Sequence, residues 1–230
     1  MNSAWILQDV VYVVALLAIG YPLGCYIYKI YNGEQVALMR VFAPLEQLLY
    51  RVMGVDEEQQ MHAKKYASSV LWFSFFGFLI VMGLHLVQAW LPLNPEQLEN
   101  TSLHLAYNTA ASFVSNTNWQ AYTGEVTLSY LTQMAGLTVQ NFVSAATGIA
   151  VLFVLCRGFV RRETKNLGNF WSDLVKITLY ILLPLSVVVC LLLVSQGVVQ
   201  TLDPYASYTT LEGTQGVLPL GPAASQIAIK

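Results

Sequence analysis

Four long stretches without a charged residue constrain this chain more than any other feature. They lie between Asp9 and Lys29, Lys65 and Glu96, Glu125 and Arg157, and Lys176 and Asp203, and they contain 19, 30, 31 and 26 residues. Crossing the hydrocarbon core of a bilayer as a helix takes about 20 mostly apolar residues. We therefore predict four transmembrane helices, near residues 9–29, 69–91, 128–157 and 175–198.

The composition supports a membrane protein and argues against several other classes. Only 10% of the 230 residues are charged and 56% are hydrophobic, whereas a soluble domain carries about 25% charged residues. The net charge of −2 and the lack of a basic patch argue against nucleic-acid binding. The first span lacks the basic start of a signal peptide, so we expect a retained helix.

The basic residues predict the orientation of the spans. Ten of the 11 lysines and arginines lie in two loops, 29–65 and 157–176, and the loop 92–127 has none. Basic loops stay on the cytoplasmic side, so the N-terminus, the loop 92–127 and the tail 199–230 are predicted to be extracytoplasmic.

Within 34–53, apolar residues recur at helical spacing, which predicts an amphipathic helix. It could lie on the membrane interface or pack on the rest of the protein, and Pro44 could kink it or bound its first turn.

The loop between the second and third spans has the pattern of a re-entrant pore loop. Residues 103–114 predict a helix of about three turns, too short to span a bilayer. Ser115–Gln120 then forms an uncharged polar strand apart from Trp119. A partly dehydrated monovalent cation needs neutral oxygens in place of water, and backbone carbonyls supply them in potassium filters. The alternative is an ordinary asparagine-rich extracytoplasmic loop.

Side chains around this strand have predicted supporting roles. The Asn and Thr side chains can hydrogen-bond behind the strand and fix the direction of its carbonyls, and Trp119 can wedge the loop against neighbouring elements. The third span carries polar residues on one face that should avoid lipid and could face a pore. They are Gln133, Gln140, Asn141 and Ser144.

Several motifs together resemble the potassium-binding subunit of potassium-transporting ATPases, the channel-like A subunit of the bacterial Kdp system. The resemblance runs over the whole chain and includes the residues of the polar strand. The stretches that carry it are Tyr21–Gly24, Leu91–Pro95, Asn116–Tyr130, Gln133–Phe142 and Leu218–Gln226.

This resemblance implies an all-α integral membrane fold built from helix–pore loop–helix repeats. It divides the chain into an extra N-terminal helix (1–31), a cytoplasmic loop with the amphipathic helix (32–66), a first repeat (67–158) and the start of a second repeat with an extracytoplasmic tail (159–230). It implies that Ser115, Asn116, Thr117 and Asn118 form a filter strand. The carbonyls of the last three would bind K⁺, and Gln120 matches a position that tunes potassium affinity.

The resemblance also implies the partners. The expected function is capture of K⁺ at the extracytoplasmic side of a bacterial inner membrane and its transfer to a P-type ATPase pump subunit (KdpB), with the small subunits KdpC and KdpF. The chain has no phosphate-binding glycine loop and no Asp-Lys-Thr-Gly phosphorylation motif, so we expect a non-catalytic subunit that binds potassium and no nucleotide.

One departure leaves a second function open. Subunits of this family are more than twice as long, and the sequence stops before the family's second filter strand would begin. One filter strand of four cannot enclose an ion, so the chain alone is not expected to form a selective pore. The alternative function is that of a truncated, non-transporting fragment or a membrane scaffold that contacts lipid.

Overall fold

A computed structural model of the chain describes residues 3–57, 59–160 and 166–230. It confirms an all-α membrane fold with four helices long and apolar enough to cross a bilayer. The helices are α1 (Ser3–Tyr31), α2 (Ala37–Met53), α3 (Ala63–Val87), α4 (Leu103–Val114), α5 (Gly124–Thr127), α6 (Val139–Val160), α7 (Phe170–Ile177), α8 (Leu183–Ser195) and α9 (Ala223–Ile229), with two strands, β1 (Ala206–Thr209) and β2 (Gln215–Leu218). A 3₁₀ turn, Gln88–Trp90, extends α3, and π-helical turns, Thr132–Thr138 and Thr178–Leu182, precede α6 and α8.

The first of two compact units, Met1–Leu48, contains α1 and most of α2. Apolar side chains are exposed on all sides of α1, which is the pattern of a helix that lipid or other protein surrounds. The helix predicted within 34–53 is present as α2. Pro44 is its eighth residue, so it does not bound the first turn.

The second unit, Leu49–Lys230, is built around α4. The side chains of Ala106, Ala110 and Phe113 on α4 are completely buried. Ala110 and Phe113 pack with Val81 of α3 and with Leu128 and Leu137 around the start of the third span. Ser102 caps the helix, because its Oγ accepts a hydrogen bond from the Leu105 amide at 3.3 Å. A helix of 12 residues held inside the span bundle is what a re-entrant loop requires.

The fourth span, Phe170–Ser195, begins five residues before its predicted start at 175. The Asn169 side chain accepts a hydrogen bond from the Trp171 amide at 3.0 Å and so starts the helix there. Asp173 lies inside the helix because Arg157 neutralises it in a bidentate pair, with N···O distances of 2.6 and 2.8 Å. Arg161, Arg162 and Lys165 of the same predicted cytoplasmic loop lie outside the described residues.

The third span, Thr132–Val160, begins four residues after its predicted start at 128. Leu128 has an extended backbone, and amide side chains bind the backbone of Leu128 and Ser129. The Ser129 amide donates to Gln88 Oε1 at 3.2 Å, and the Leu128 carbonyl accepts from Gln133 Nε2 at 2.9 Å.

The segment after the fourth span is more ordered than the predicted tail. β1 and β2 pair antiparallel, with Ala206 opposite Leu218. The Tyr130 hydroxyl lies 2.8 and 2.9 Å from the carbonyl oxygens of Asp203 and Leu220. This phenol ties both ends of the hairpin segment to the start of the third span.

Candidate ion-binding site

The polar strand Ser115–Gln120 begins where α4 ends and has an unusual backbone. Asn116 has a φ of 58° and Asn118 a φ of 56°, both in the left-handed region. Few residues other than glycine adopt this region, and asparagine is one of the most tolerant of it. The two asparagines therefore suit the conformation that each occupies.

Three consecutive amides of this strand point back at the end of α4. The Asn116 amide donates to the Phe113 carbonyl at 3.2 Å. The amides of Thr117 and Asn118 both donate to the Ser112 carbonyl, at 3.0 and 3.3 Å. The C-terminal carbonyls of a helix lack partners within the helix, so these bonds satisfy both the helix end and the strand.

The amide directions determine where the carbonyls point. In a planar trans peptide, the carbonyl of one residue is antiparallel to the amide N–H of the next. The carbonyls of Ser115, Asn116 and Thr117 therefore point away from α4. Within the described residues, no hydrogen bond is donated to the backbone oxygens of 115–118. The strand thus offers a row of neutral oxygens with free lone pairs.

The end of α4 contributes a partial charge that favours a cation at this row. The C-terminal end of a helix carries a partial negative charge from its aligned peptide dipoles, and α4 ends directly at the strand. Residues 115–120 include no charged side chain. A carboxylate at this place would add a full charge and slow the release of an ion, whereas dipoles attract it more weakly.

Ser115, Thr117 and Asn116 of the strand make side-chain hydrogen bonds, whereas the buried Oδ1 of Asn118 has no partner among the described residues. The hydroxyls of Ser115 and Thr117 lie 2.9 Å apart. The Asn116 amide group lies 3.2 Å from Ser144 Oγ of α6. Trp119 is more than half exposed, and its role as a wedge stays a prediction.

Gln120, just after the strand, uses both ends of its amide. Its Nε2 donates to the Tyr122 hydroxyl at 3.1 Å, and its Oε1 accepts from Lys230 Nζ at 2.8 Å. Burial raises the pKa of Tyr122 to about 12, so its phenol is neutral at physiological pH. A cavity of about 640 Å³ opens beside these residues on the predicted outer side.

The four polar residues singled out in the third span lie against the inside of the second unit. Gln140, Asn141 and Ser144 are buried and Gln133 is half-buried. Gln140 packs on Gly77 of α3, where a Cβ would lie only 2.7 Å from Gln140 Oε1. Ser144 contacts the strand, and both side-chain polar atoms of Asn141 lack a partner among the described residues.

Sequence reasoning missed two residues that frame the site. Ser112 supplies the carbonyl that accepts two strand amides. Gln88 is completely buried and binds three backbone groups of the neighbouring loops. Gln88 could have been noticed in the sequence as a single amide side chain at the end of an apolar span. The role of Ser112 leaves no signal in the sequence, because it depends on a backbone carbonyl.

Comparison with known proteins identifies the relatives of this chain. The family described as potassium-transporting ATPase A subunit matches residues 10–230. The potassium-transporting ATPase potassium-binding subunit of Listeria welshimeri is 60% identical over 226 residues, which cover 98% of this chain and 40% of that protein. Subunits of the same name from Clostridium botulinum and Herpetosiphon aurantiacus are 53% and 54% identical, over 98% and 100% of this chain and 40% and 41% of their own lengths.

The chain thus spans about two fifths of the length of these relatives. The matched region includes α4, the polar strand, most of the first span and all of the other three. Because the family match covers nearly the whole chain, the chain belongs to the potassium-transporting ATPase A subunit family.

Proposed function

We propose that this chain is the ion-capturing part of a potassium-binding subunit in a high-affinity, ATP-driven potassium uptake complex. The observation that carries the proposal is the row of Ser115, Asn116 and Thr117 carbonyls pointing away from α4. Family membership and the names of the relatives agree with it. We propose Ser115–Asn118 as the first strand of a selectivity filter, with K⁺ bound by the carbonyls of Asn116, Thr117 and Asn118.

The proposed mechanism separates ion capture from the energy source. Carbonyls of the strand replace part of the water shell of K⁺, and the end of α4 stabilises its charge. The further filter strands that enclose the ion come from the rest of the subunit, and Gln133, Gln140, Asn141 and Ser144 line or support the path. A P-type ATPase subunit (KdpB) hydrolyses ATP, and KdpC and KdpF complete the complex. The proposed location is a bacterial inner membrane, with the N-terminus outside.

The test places this chain where its relatives carry the matching segment. A chimera replaces the matched residues of the Listeria welshimeri subunit with this sequence and is expressed with its pump subunits in cells that lack other potassium uptake systems. We expect uptake at micromolar external K⁺. A chimera that inserts and assembles but transports no K⁺ would contradict the proposal and favour the scaffold function.

Gln120→Arg in this chimera is expected to weaken the apparent potassium affinity by about tenfold or more. A guanidinium would add a positive charge beside the strand and close to Lys230, which repels an entering cation. The measurement is the K⁺ concentration for half-maximal uptake. Gln215→Arg is the matched control, because it makes the same change on the exposed strand β2 of the same predicted side. Equal apparent potassium affinities of the two variants would contradict a position of Gln120 beside the ion path.

A further inference from the structure

The strand and α6 meet at one hydrogen bond. Ser144 Oγ lies 3.2 Å from the side-chain oxygen position of Asn116 and 2.7 Å from the Gln140 carbonyl oxygen. Ser144 is only 6% exposed. Within the described residues, this is the hydrogen bond that ties 115–118 to an element other than α4.

Counting hydrogens assigns the direction of this contact. A serine hydroxyl has one hydrogen to donate, and both neighbouring atoms are placed as acceptors. The oxygen and nitrogen of an asparagine amide are assigned from the hydrogen-bond network rather than observed. With the Asn116 amide turned over, its Nδ2 donates to Ser144 Oγ, and Ser144 donates to the Gln140 carbonyl. Each donor then has an acceptor.

This chain of bonds acts on one of the two strand residues that have a left-handed conformation. Asn116 is held in a left-handed conformation that costs energy for any residue with a Cβ. Its rotation about φ and ψ would swing the carbonyls of Ser115 and Asn116 away from their shared direction. A side chain bonded to the buried face of α6 resists that rotation.

We infer that Ser144 is a positioning residue for ion selection, which keeps Asn116 in its left-handed conformation and thereby aligns the Ser115 and Asn116 carbonyls. Ser144 does not itself bind the ion. The role of Ser144 in selectivity rests on the proposed function. The restraint that Ser144 places on the Asn116 backbone, which we call the clamp, can be measured without transport.

The test uses the assembled chimera with three substitutions on α6. Ser144→Ala removes the hydroxyl, and Ser144→Thr retains one. Thr147→Val is the control, because Thr147 makes the same backbone bond, from its Oγ1 to the Val143 carbonyl at 2.7 Å, and no bond to the strand. Each purified complex is examined by amide hydrogen exchange across 112–120 and by uptake of K⁺ and Rb⁺ in competition.

We expect Ser144→Ala to speed amide exchange at 116–118 about fivefold, which corresponds to the loss of one hydrogen bond. The same variant should lower the preference for K⁺ over Rb⁺ by about threefold or more, because misaligned carbonyls distinguish ion sizes less well. Ser144→Thr should restore both values. Thr147→Val should leave both at the level of the unchanged chimera.

Substitution of Asn116 itself distinguishes two explanations for faster exchange in Ser144→Ala: loss of the clamp on Asn116 and a general loosening of α6. Glycine adopts positive φ freely and has no amide side chain, so Ser144→Ala should cause no further change in exchange in an Asn116→Gly background. An additive effect there, or an effect of Thr147→Val as large as that of Ser144→Ala, would overturn the clamp.

The two proposals fail in different ways. A chimera that assembles without transporting K⁺ contradicts the proposed function, while the exchange measurement still decides the clamp. Normal exchange at 116–118 in Ser144→Ala overturns the clamp. Faster exchange with an unchanged K⁺ to Rb⁺ preference overturns the role of Ser144 in selectivity.

Discussion

Asp173→Ala is expected to lower the free energy of unfolding of the second unit by about 3–5 kcal/mol. The carboxylate is 96% buried and accepts two hydrogen bonds from Arg157 and one, at 2.9 Å, from the Tyr66 hydroxyl. Removing it leaves the Arg157 guanidinium, whose side chain is 20% exposed, without its counter-charge and with the Leu167 carbonyl as a remaining acceptor. The measurement is the midpoint of thermal unfolding of the chain in lipid-containing micelles, with the stability difference taken from matched curves.

An exposed ion pair in the same region provides the control for Asp173. Lys176 pairs with Glu57, whose side chain is 50% exposed, and surface pairs contribute about 1 kcal/mol or less. Lys176→Ala should therefore shift the midpoint far less. In addition, the double variant Arg157→Met with Asp173→Leu should regain most of the lost stability, because well-packed apolar residues often match a buried ion pair. A double variant no more stable than Asp173→Ala would contradict this account.

Gln88→Leu is expected to destabilise the same unit by about 3 kcal/mol or more. Gln88 Nε2 donates to the carbonyls of Glu99 and Thr127 at 2.5 and 2.7 Å, and its Oε1 accepts from the Ser129 amide. Ser129 is buried, Thr127 half-buried and Glu99 exposed, and a buried backbone group left without a partner costs about 1–3 kcal/mol. The side chain is completely buried, so leucine of similar size loses these bonds without gaining access to water.

Two further substitutions test whether the hydrogen bonds or the packing of Gln88 matter. Gln88→Glu keeps the shape but places an oxygen against two carbonyls, so it should destabilise the unit at least as much as leucine. Gln215→Leu, on the exposed strand β2, should change the unfolding midpoint little. If Gln88→Glu were as stable as the unchanged chain, packing rather than hydrogen bonding would explain the burial of Gln88.

The charge pattern predicted the spans well and their ends less well. A span of 20 or more uncharged residues has few stable folds outside a bilayer, so the number of spans follows from composition alone. The ends depend on partners distant in sequence. Asp173 could enter a helix because Arg157, 16 residues earlier, neutralises it, and no local rule of charge counting reveals that pairing.

In the candidate site, too, the local features could be predicted from the sequence and the long-range contacts could not. The short helix α4 and the uncharged strand after it are local properties, which sequence reasoning located at residues 103–120. The use of Ser144, Gln88 and Tyr130 could not be predicted, because each bonds to backbone or side-chain groups 11 to 90 residues away.

The amino-acid sequence alone therefore predicted a membrane protein with four spans, a short helix between the second and third spans and a neutral polar strand, because hydropathy, charge and helix length act over short stretches. The placement of the Arg157–Asp173 ion pair, the bond between Ser144 and Asn116 and the attachment of the segment after the fourth span to Tyr130 depended on the tertiary structure. These features come from hydrogen bonds between segments far apart in the chain, and such bonds form only where packing brings a donor and an acceptor within about 3 Å.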